Sequence, residues 1–372
     1  MRIVIAPDSF KGSASAVQVA EAIATGWLEA RRDDEVIELP MADGGEGTLD
    51  AFELAVPGAK RMPVEVTGPD GRAVQASWML LPASGELPGG TGVVELAETS
   101  GLPLLDRLDP LGAHTLGFGQ AIADAIDHGV SRLLLGIGGS ASTDGGTGAL
   151  VALGARLLNA QGEPVALGGG ALTDIASVDL SGLRQLPPAG ALVLSDVTNP
   201  LLGPSGAAHI FGEQKGADAR QRVELDAALA AWSRVVQPVA DVDPATPGAG
   251  AAGGTGFGLL AWGAQLVSGA TTIADAVGLD AALSHADLVV TGEGRYDAQT
   301  DSGKAPAVVA ARADTAGVPL ALVAGAITAP AAAAIAAISL TDLAGTSAAA
   351  MADPLAWLRE AGRRLASETS SH

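Results

Sequence analysis

Both ends of the chain repeat one pattern: a short β-branched run, a polar loop, then apolar residues at helical spacing. At the amino end Ile3-Val4-Ile5-Ala6 stops at Pro7, and Val17, Ala20, Ile23, Ala24 and Trp27 follow at helical intervals. Ser13 or Ser15 is placed to cap that helix. Val36-Ile37-Glu38-Leu39 is a second run, ended by Pro40, and a short helix is expected over residues 48–56. At the carboxyl end, strands are expected at 287–290, 320–323 and 338–340, and helices at 305–316, 331–337 and 354–366. Buried strands alternating with helices predict a parallel sheet with helices on its faces.

The middle of the chain reads differently. Residues 62–67 and 73–81 alternate in polarity around Gly68-Pro69-Asp70-Gly71, a hairpin signal. Strands are expected at 93–96, 132–135 and 192–194, and helices at 114–128, 221–236 and 256–267. The expected fold is therefore two α/β domains. One is a Rossmann-like or flavodoxin-like parallel sheet formed by both chain ends, residues 1–60 plus 286–372. The other is a mixed-sheet α/β domain, residues 61–285, inserted between them. The Leu133 strand fits either sheet.

Composition narrows the function classes. With 21 basic and 42 acidic residues the formal charge is -21, which argues against nucleic acid and anionic membrane partners. There is no cysteine, so no disulfide, thiolate zinc site or cysteine nucleophile exists, which fits a cytoplasmic protein. No segment reads as transmembrane, and the amino-terminal apolar run is too short for a signal peptide. Fifty glycines without a Gly-X-Y period place much of the chain in turns or against a ligand.

In an open α/β sheet, ligands sit beyond the carboxyl ends of the strands, so the loops there carry the chemistry. Pro7-Asp8-Ser9-Phe10-Lys11-Gly12-Ser13 sets a carboxylate, a hydroxyl and an ammonium before a helix N-terminus, which favours an anion. Asp43-Gly44-Gly45-Glu46-Gly47 brackets two acids with three glycines, suited to hydroxyls or Mg²⁺. Gly136-Ile137-Gly138-Gly139-Ser140-Ala141-Ser142-Thr143-Asp144-Gly145-Gly146 has the form G-x-G-x-x-A, but no strand-end acid follows about 20 residues on to hold a ribose. Its hydroxyls suit a phosphate cradle better than NAD. Gly248-Ala249-Gly250-Ala251-Ala252-Gly253 is a second glycine loop, without a preceding strand.

The remaining loops are Ser195-Asp196-Val197-Thr198-Asn199, Gly212-Glu213-Gln214-Lys215-Gly216 and Thr291-Gly292-Glu293-Gly294-Arg295-Tyr296-Asp297. Only four lysines occur, and Lys11, Lys215 and Lys304 lie in glycine-rich loops while Lys60 does not. His114, His128, His209 and His285 have no metal-ligand spacing and read as packing or surface residues. Acids, hydroxyls, lysines and glycine loops, without a triad or a histidine cluster, are what phosphoryl transfer needs.

These segments resemble the bacterial two-domain glycerate kinase family, distinct from the P-loop glycerate kinases. The matching stretches are residues 6–13, 40–48, 136–146, 196–203, 214–217, 247–254 and 291–303, in family order. Thr143 stands where the family often has Asn, and Glu213 where it often has Pro.

The resemblance implies Mg²⁺- and ATP-dependent phosphorylation of D-glycerate, most often at the 2-position, with 3-phosphoglycerate as the alternative product. It implies an active site in a cleft between the domains, no nucleic-acid or membrane partner, and a monomer or homodimer. Lys11, Asp43, Asp196 and Lys215 are then the expected catalytic residues, with Asp43 or Asp196 as base. Asp8, Ser9, Glu46, Asn199 and Arg295 are expected at the substrate, with Lys11, Lys215 and Arg295 as candidate cations. Gly138, Gly139, Ser140, Ser142, Asp144, Gly250 and Gly253 are expected at the nucleotide, and Asp196 and Glu293 at the metal. The competing readings are an NAD-dependent dehydrogenase of a small hydroxy acid and a non-catalytic sugar-acid binding protein.

Overall fold

The computed structural model describes residues 1–297 and 304–369. They form two compact units. The first comprises residues 1–43, 50–57 and 270–372, the second residues 44–49 and 58–269.

The first unit is built on a five-stranded parallel sheet in the spatial order Ala336–Ser339, Leu320–Ile327, Leu288–Tyr296, Arg2–Ile5, Glu35–Glu38. Ile3 lies between Leu288 on one side and Val36 on the other. Counting strands within this unit, the order is 2-1-3-4-5, the flavodoxin-like arrangement. Its strand order reverses between Arg2–Ile5 and Leu288–Tyr296.

The central strands are apolar without a break because both faces are covered. Ile3, Ile5, Val290, Ala321 and Val323 pack in one core with Trp27, Leu358 and Leu365 from the helices Ala16–Ala30 and Pro354–Glu368. Of the two serines able to cap the first helix, Ser15 does so. Its hydroxyl accepts from Gln18 N at 3.2 Å, and Gln18 Oε1 accepts from Ser15 N at 3.0 Å.

The second unit carries a six-stranded mixed sheet in the order Gln265–Val267, Ala191–Leu194, Arg132–Gly136, Thr91–Glu95, Ala73–Leu81, Lys60–Thr67. The last two strands form the antiparallel hairpin expected from the alternation. The Leu133 strand belongs to this sheet, parallel to its neighbours on both sides. The core holds Trp78, Phe118, Trp232 and Phe257 around Leu133 and Leu135.

The structure corrects three details. The expected helix over 256–267 is Ala251–Trp262; it ends at Gly263, at φ 97°, and residues 265–267 pair with 192–194 as an edge strand. The expected helix over 331–337 is a short turn leading into the strand Ala336–Ser339, which pairs with residues 321–324. An alanine run favours helix locally, but the ladder along the open edge of Leu320–Ile327 outweighs that preference. The chain also returns to the first unit at Ala270 rather than at 286. Arg312 on the helix Ala305–Ala316 pairs with both Asp275 and Asp280, fastening the short helices on either side of Gly278 to that unit.

Candidate functional site

In the first unit, Asp8 lies just beyond the strand Arg2–Ile5. Its N–H donates to Gly292 O at 2.8 Å, and the Thr291 hydroxyl donates to Ala6 O at 2.8 Å. These cross-links set Asp8 and Glu293 at the point where strand order reverses, the position at which doubly wound sheets bind ligands. Phe10 is buried, and both the N–H and the hydroxyl of Ser13 return to Phe10 O, at 2.8 and 2.9 Å. The loop is thus a tight turn with Lys11 at its tip.

The Asp8 carboxyl is only 7% exposed and accepts one N–H, from Ser9, at 2.6 Å. Burial, reinforced by the negative charges of Asp43 and Glu293, pushes its pKa up from 3.8 to about 7, against the pull of Ser9 N–H and Lys11. The Lys11 ammonium lies 3.4 Å from Asp43 Oδ2. Asp43 above all holds it charged, more firmly than an ordinary lysine. With 76% of the Lys11 side chain in water, this pair orients the ammonium and adds little stability.

Around this cluster, among the described residues, the unit forms a pocket of about 430 Å³. Asp8, Lys11, Glu293, Arg295, Asp297 and Lys304 supply its charges. Arg295 is mostly exposed, with its Nε 3.6 Å from Asp297 Oδ2.

The second unit assembles its glycine loops into a closed knot. Gly138 N donates to Gly44 O at 3.0 Å, and a Cβ on Gly138 would sit 2.5 Å from Gly45 Cα. Close approach of chain to chain is what these glycines permit. Asp144 is fully buried and accepts from Thr115 N and Oγ1 at 2.9 and 2.8 Å, and from Ser142 Oγ, Gly146 N and Gly148 N at 3.2 Å each. Ala252, Gly253 and Gly254 turn left-handed in succession, at φ 54, 68 and 88°. Gly145 N donates to Gly253 O at 3.0 Å, closing one loop on the other.

Lys215 is sealed inside this knot, 2% exposed. Its ammonium donates to Ser142 O and lies 3.5 Å from Ser140 Oγ. Burial lowers its pKa from 10.5 to about 7, with Asp144 opposing. It therefore sheds its proton far more readily than an exposed lysine does.

The residues expected at the site thus fall into two sets. Asp8, Ser9, Lys11, Asp43, Glu293 and Arg295 lie in the first unit, and all but Asp43 line its pocket. Ser140, Ser142, Asp144, Gly253 and Lys215 form one enclosed group in the second. Gly139 is exposed beside it. Asn199 Nδ2 donates to Ser205 O at 2.8 Å, and its carbonyl accepts from Gly250 N at 2.9 Å. Asp196 Oδ1 accepts from Gly269 N at 3.0 Å. Glu46 is exposed.

His128 packs edge-on against Trp78, with ring centroids 5.5 Å apart, and His114 accepts from Leu116 N. Sequence reasoning missed Glu95, buried at a strand end, whose carboxylate accepts from Gly47 N and Leu49 N at 3.0 and 3.1 Å. An acid closing an apolar strand was the signal. It also left Lys304 without a role, although glycine-rich flanks marked it.

The family model described as the glycerate kinase family matches residues 3–370. The chain is 45% identical over 315 residues to "Glycerate 2-kinase" of Escherichia coli strain K12, covering 83% of this chain and 81% of that one. It is 44% identical over 318 residues to "Glycerate kinase" of Bacillus subtilis strain 168, covering 84% and 82%. The fold matches the crystal structure of a chain described as glycerate kinase 2 from Salmonella typhimurium LT2. The TM-score is 0.85 at 42% identity, over 100% of this chain and 98% of that one.

Proposed function

The chain belongs to the glycerate kinase family, and from that premise we propose that it transfers the γ-phosphoryl group of ATP to the 2-hydroxyl of D-glycerate. The observation that carries the reading is the cluster of Asp8, Lys11 and Asp43 beside Glu293, in the pocket at the switch point of the parallel sheet. The 2-position follows the name of the Escherichia coli relative.

A proton acceptor works best with a pKa near the operating pH, and Asp8 at about 7 meets that condition. Asp8 takes the hydroxyl proton as the oxygen of glycerate forms its bond to the γ-phosphorus, while the bond from that phosphorus to the bridging oxygen of ADP breaks. The Lys11 ammonium neutralises charge on the transferring group, and Asp43 keeps it aimed. Arg295 offers a cation for the glycerate carboxylate. Lys215 and Asp144 act at one remove, by holding the glycine knot together.

Mg²⁺ would neutralise the phosphate oxygens of the nucleotide. The donor chemistry fits, since Asp43 and Glu293 are hard oxygen groups, each within electrostatic reach of Asp8. No group of three His, Asp or Glu among the described residues is arranged to hold a metal alone. That suits a cation carried mainly by phosphates and water, with Glu293 as the protein's contribution.

The test is ADP release from purified protein with Mg-ATP and D-glycerate, followed by ³¹P NMR of the product. Glycerate-dependent ADP with a phosphomonoester signal coupled to the C2 proton is expected. Coupling to a CH₂ group would move the product to 3-phosphoglycerate. Binding of both ligands without ADP release would overturn the kinase reading in favour of a sugar-acid binding protein.

A further inference from the structure

The pocket of the first unit is larger and less uniform than a three-carbon acid requires. At about 430 Å³ it falls within the range of roughly 300–1,000 Å³ that takes a whole cofactor or nucleotide. Its lining also changes character along the sheet. Asp8, Lys11, Glu293, Arg295 and Lys304 come from the chain following Arg2–Ile5 and from the strand Leu288–Tyr296 and the segment after it. The remaining wall comes from the neighbouring strand Leu320–Ile327 and from the helices that follow it beyond Ser339. It is made of Gly325, Ala326, Leu340, Ala350, Met351 and Pro354, with the hydroxyls of Thr341 and Ser347 among them.

Adjacent strands lie about 4.8 Å apart. From Arg2–Ile5 to Ala336–Ser339 is three such steps, roughly 14 Å. The pocket is therefore an elongated slot with a charged end and an apolar end. At the apolar end Thr341 already donates its hydroxyl to Gly325 O, at 2.8 Å. Met351 stands 63% exposed on the wall, although a large apolar side chain gains by being covered.

We propose that the purine of the nucleotide lies at the apolar end of this slot, against Met351, Ala350 and Pro354, with its polyphosphate running back towards Lys304 and Lys11. This rests on the kinase reading and adds the place of the base, on the strand side of the first unit rather than in the glycine loops of the second. A ligand with a flat apolar body at one end and several negative charges at the other matches the slot in both respects. Cations are concentrated there: in a chain with only four lysines, Lys11 and Lys304 line this pocket beside Arg295, with Asp8, Glu293 and Asp297 among them. The soft thioether of Met351 suits the face of an aromatic base. Within the glycine loops, by contrast, Gly138 packs on Gly45, and Asp144 is buried and already holds five donors.

Calorimetric titration of the full chain, without glycerate, tests the placement, using Mg-ATP and inorganic tripolyphosphate as separate probes. Met351→Gln keeps the side chain's length and removes its apolar character at an exposed position. It should weaken Mg-ATP binding by about tenfold and leave tripolyphosphate unchanged. Lys304→Ala should weaken both probes. Unchanged Mg-ATP binding by Met351→Gln, or equal weakening of both probes, would overturn the purine site. Glycerate-dependent ADP release by the parent chain is measured alongside. Its absence would sink the kinase reading, while the titrations would still decide where the base binds.

Discussion

Each unit builds a lysine, a carboxylate and a glycine-rich turn into one cluster, and the two clusters behave oppositely. In the first unit Lys11 stands 76% exposed, and Asp43 raises its pKa. In the second, Lys215 is 2% exposed, and burial lowers its pKa to about 7. The carboxylates contrast in the same way. Asp8 is buried with a single N–H donor and keeps its proton up to about pH 7, whereas Asp144 is buried among five hydrogen-bond donors. Similar residues make a group that titrates near neutrality where hydrogen bonds are left short, and a closed, bonded knot where they are complete.

The contrast breaks most easily at Asp8. Asp8→Asn should lower kcat/KM by about 10²- to 10⁴-fold in an ADP-release assay. In the parent enzyme kcat/KM should rise with pH through about 7 as free Asp8 ionises, and that limb should vanish in the variant. Near-normal turnover by Asp8→Asn would remove Asp8 from the chemistry. Lys11→Ala should lower kcat and kcat/KM together if the ammonium acts in the transition state.

Glycine substitutions come next. A Cβ on Gly253, at φ 68°, would meet Ser142 O at 2.1 Å, so Gly253→Ala should destabilise by about 3 kcal/mol in urea unfolding. Gly12, at φ 81°, would have nothing within 4 Å of an added Cβ, so Gly12→Ala should cost only the strain of about 1 kcal/mol. Equal costs would mean that the second unit's knot is looser than its contacts indicate.

Opposite slopes of stability against pH sharpen the comparison further. Between about pH 4 and 7 the unfolded chain ionises Asp8 while the folded chain keeps the proton, so this group's contribution falls as pH rises. Between about pH 7 and 10.5 the unfolded chain protonates Lys215 while the folded chain does not, so its contribution rises with pH. Urea midpoints across pH should therefore show a flatter acid side in Asp8→Asn and a flatter alkaline side in Lys215→Met, each relative to the parent. An effect as small as that of Gly12→Ala is expected at the first helix: Ser15→Ala removes the helix cap and should cost about 1 kcal/mol, read as a lower melting temperature.

The parallel sheet was legible because strands buried on both faces must be apolar without interruption, and Ile3-Val4-Ile5 and Leu288-Val289-Val290 are. The hairpin was legible for the complementary reason, alternation around a Gly-Pro-Asp-Gly turn. The alanine run at 331–337 misled, since its helix preference is local and the strand edge that captures it is supplied by residues 321–324.

At the site, the amino acids alone marked Asp8, Lys11, Asp43, Lys215 and Glu293, because acids and lysines in glycine loops at strand ends have few bland explanations. They could not separate Lys11 from Lys215, or Asp8 from Asp144. Residue type and loop position are shared, and these are what a sequence displays. Burial and the number of donors reaching each group decide which carboxyl titrates near neutrality and which lysine is locked, and both quantities come from chain segments far away in sequence. Composition, strand pattern and family membership were thus set by the sequence itself, through local periodicity and motif. The division between an open charged slot and a closed glycine knot belongs to the tertiary structure, which alone determines how much water and how many hydrogen bonds each charge keeps.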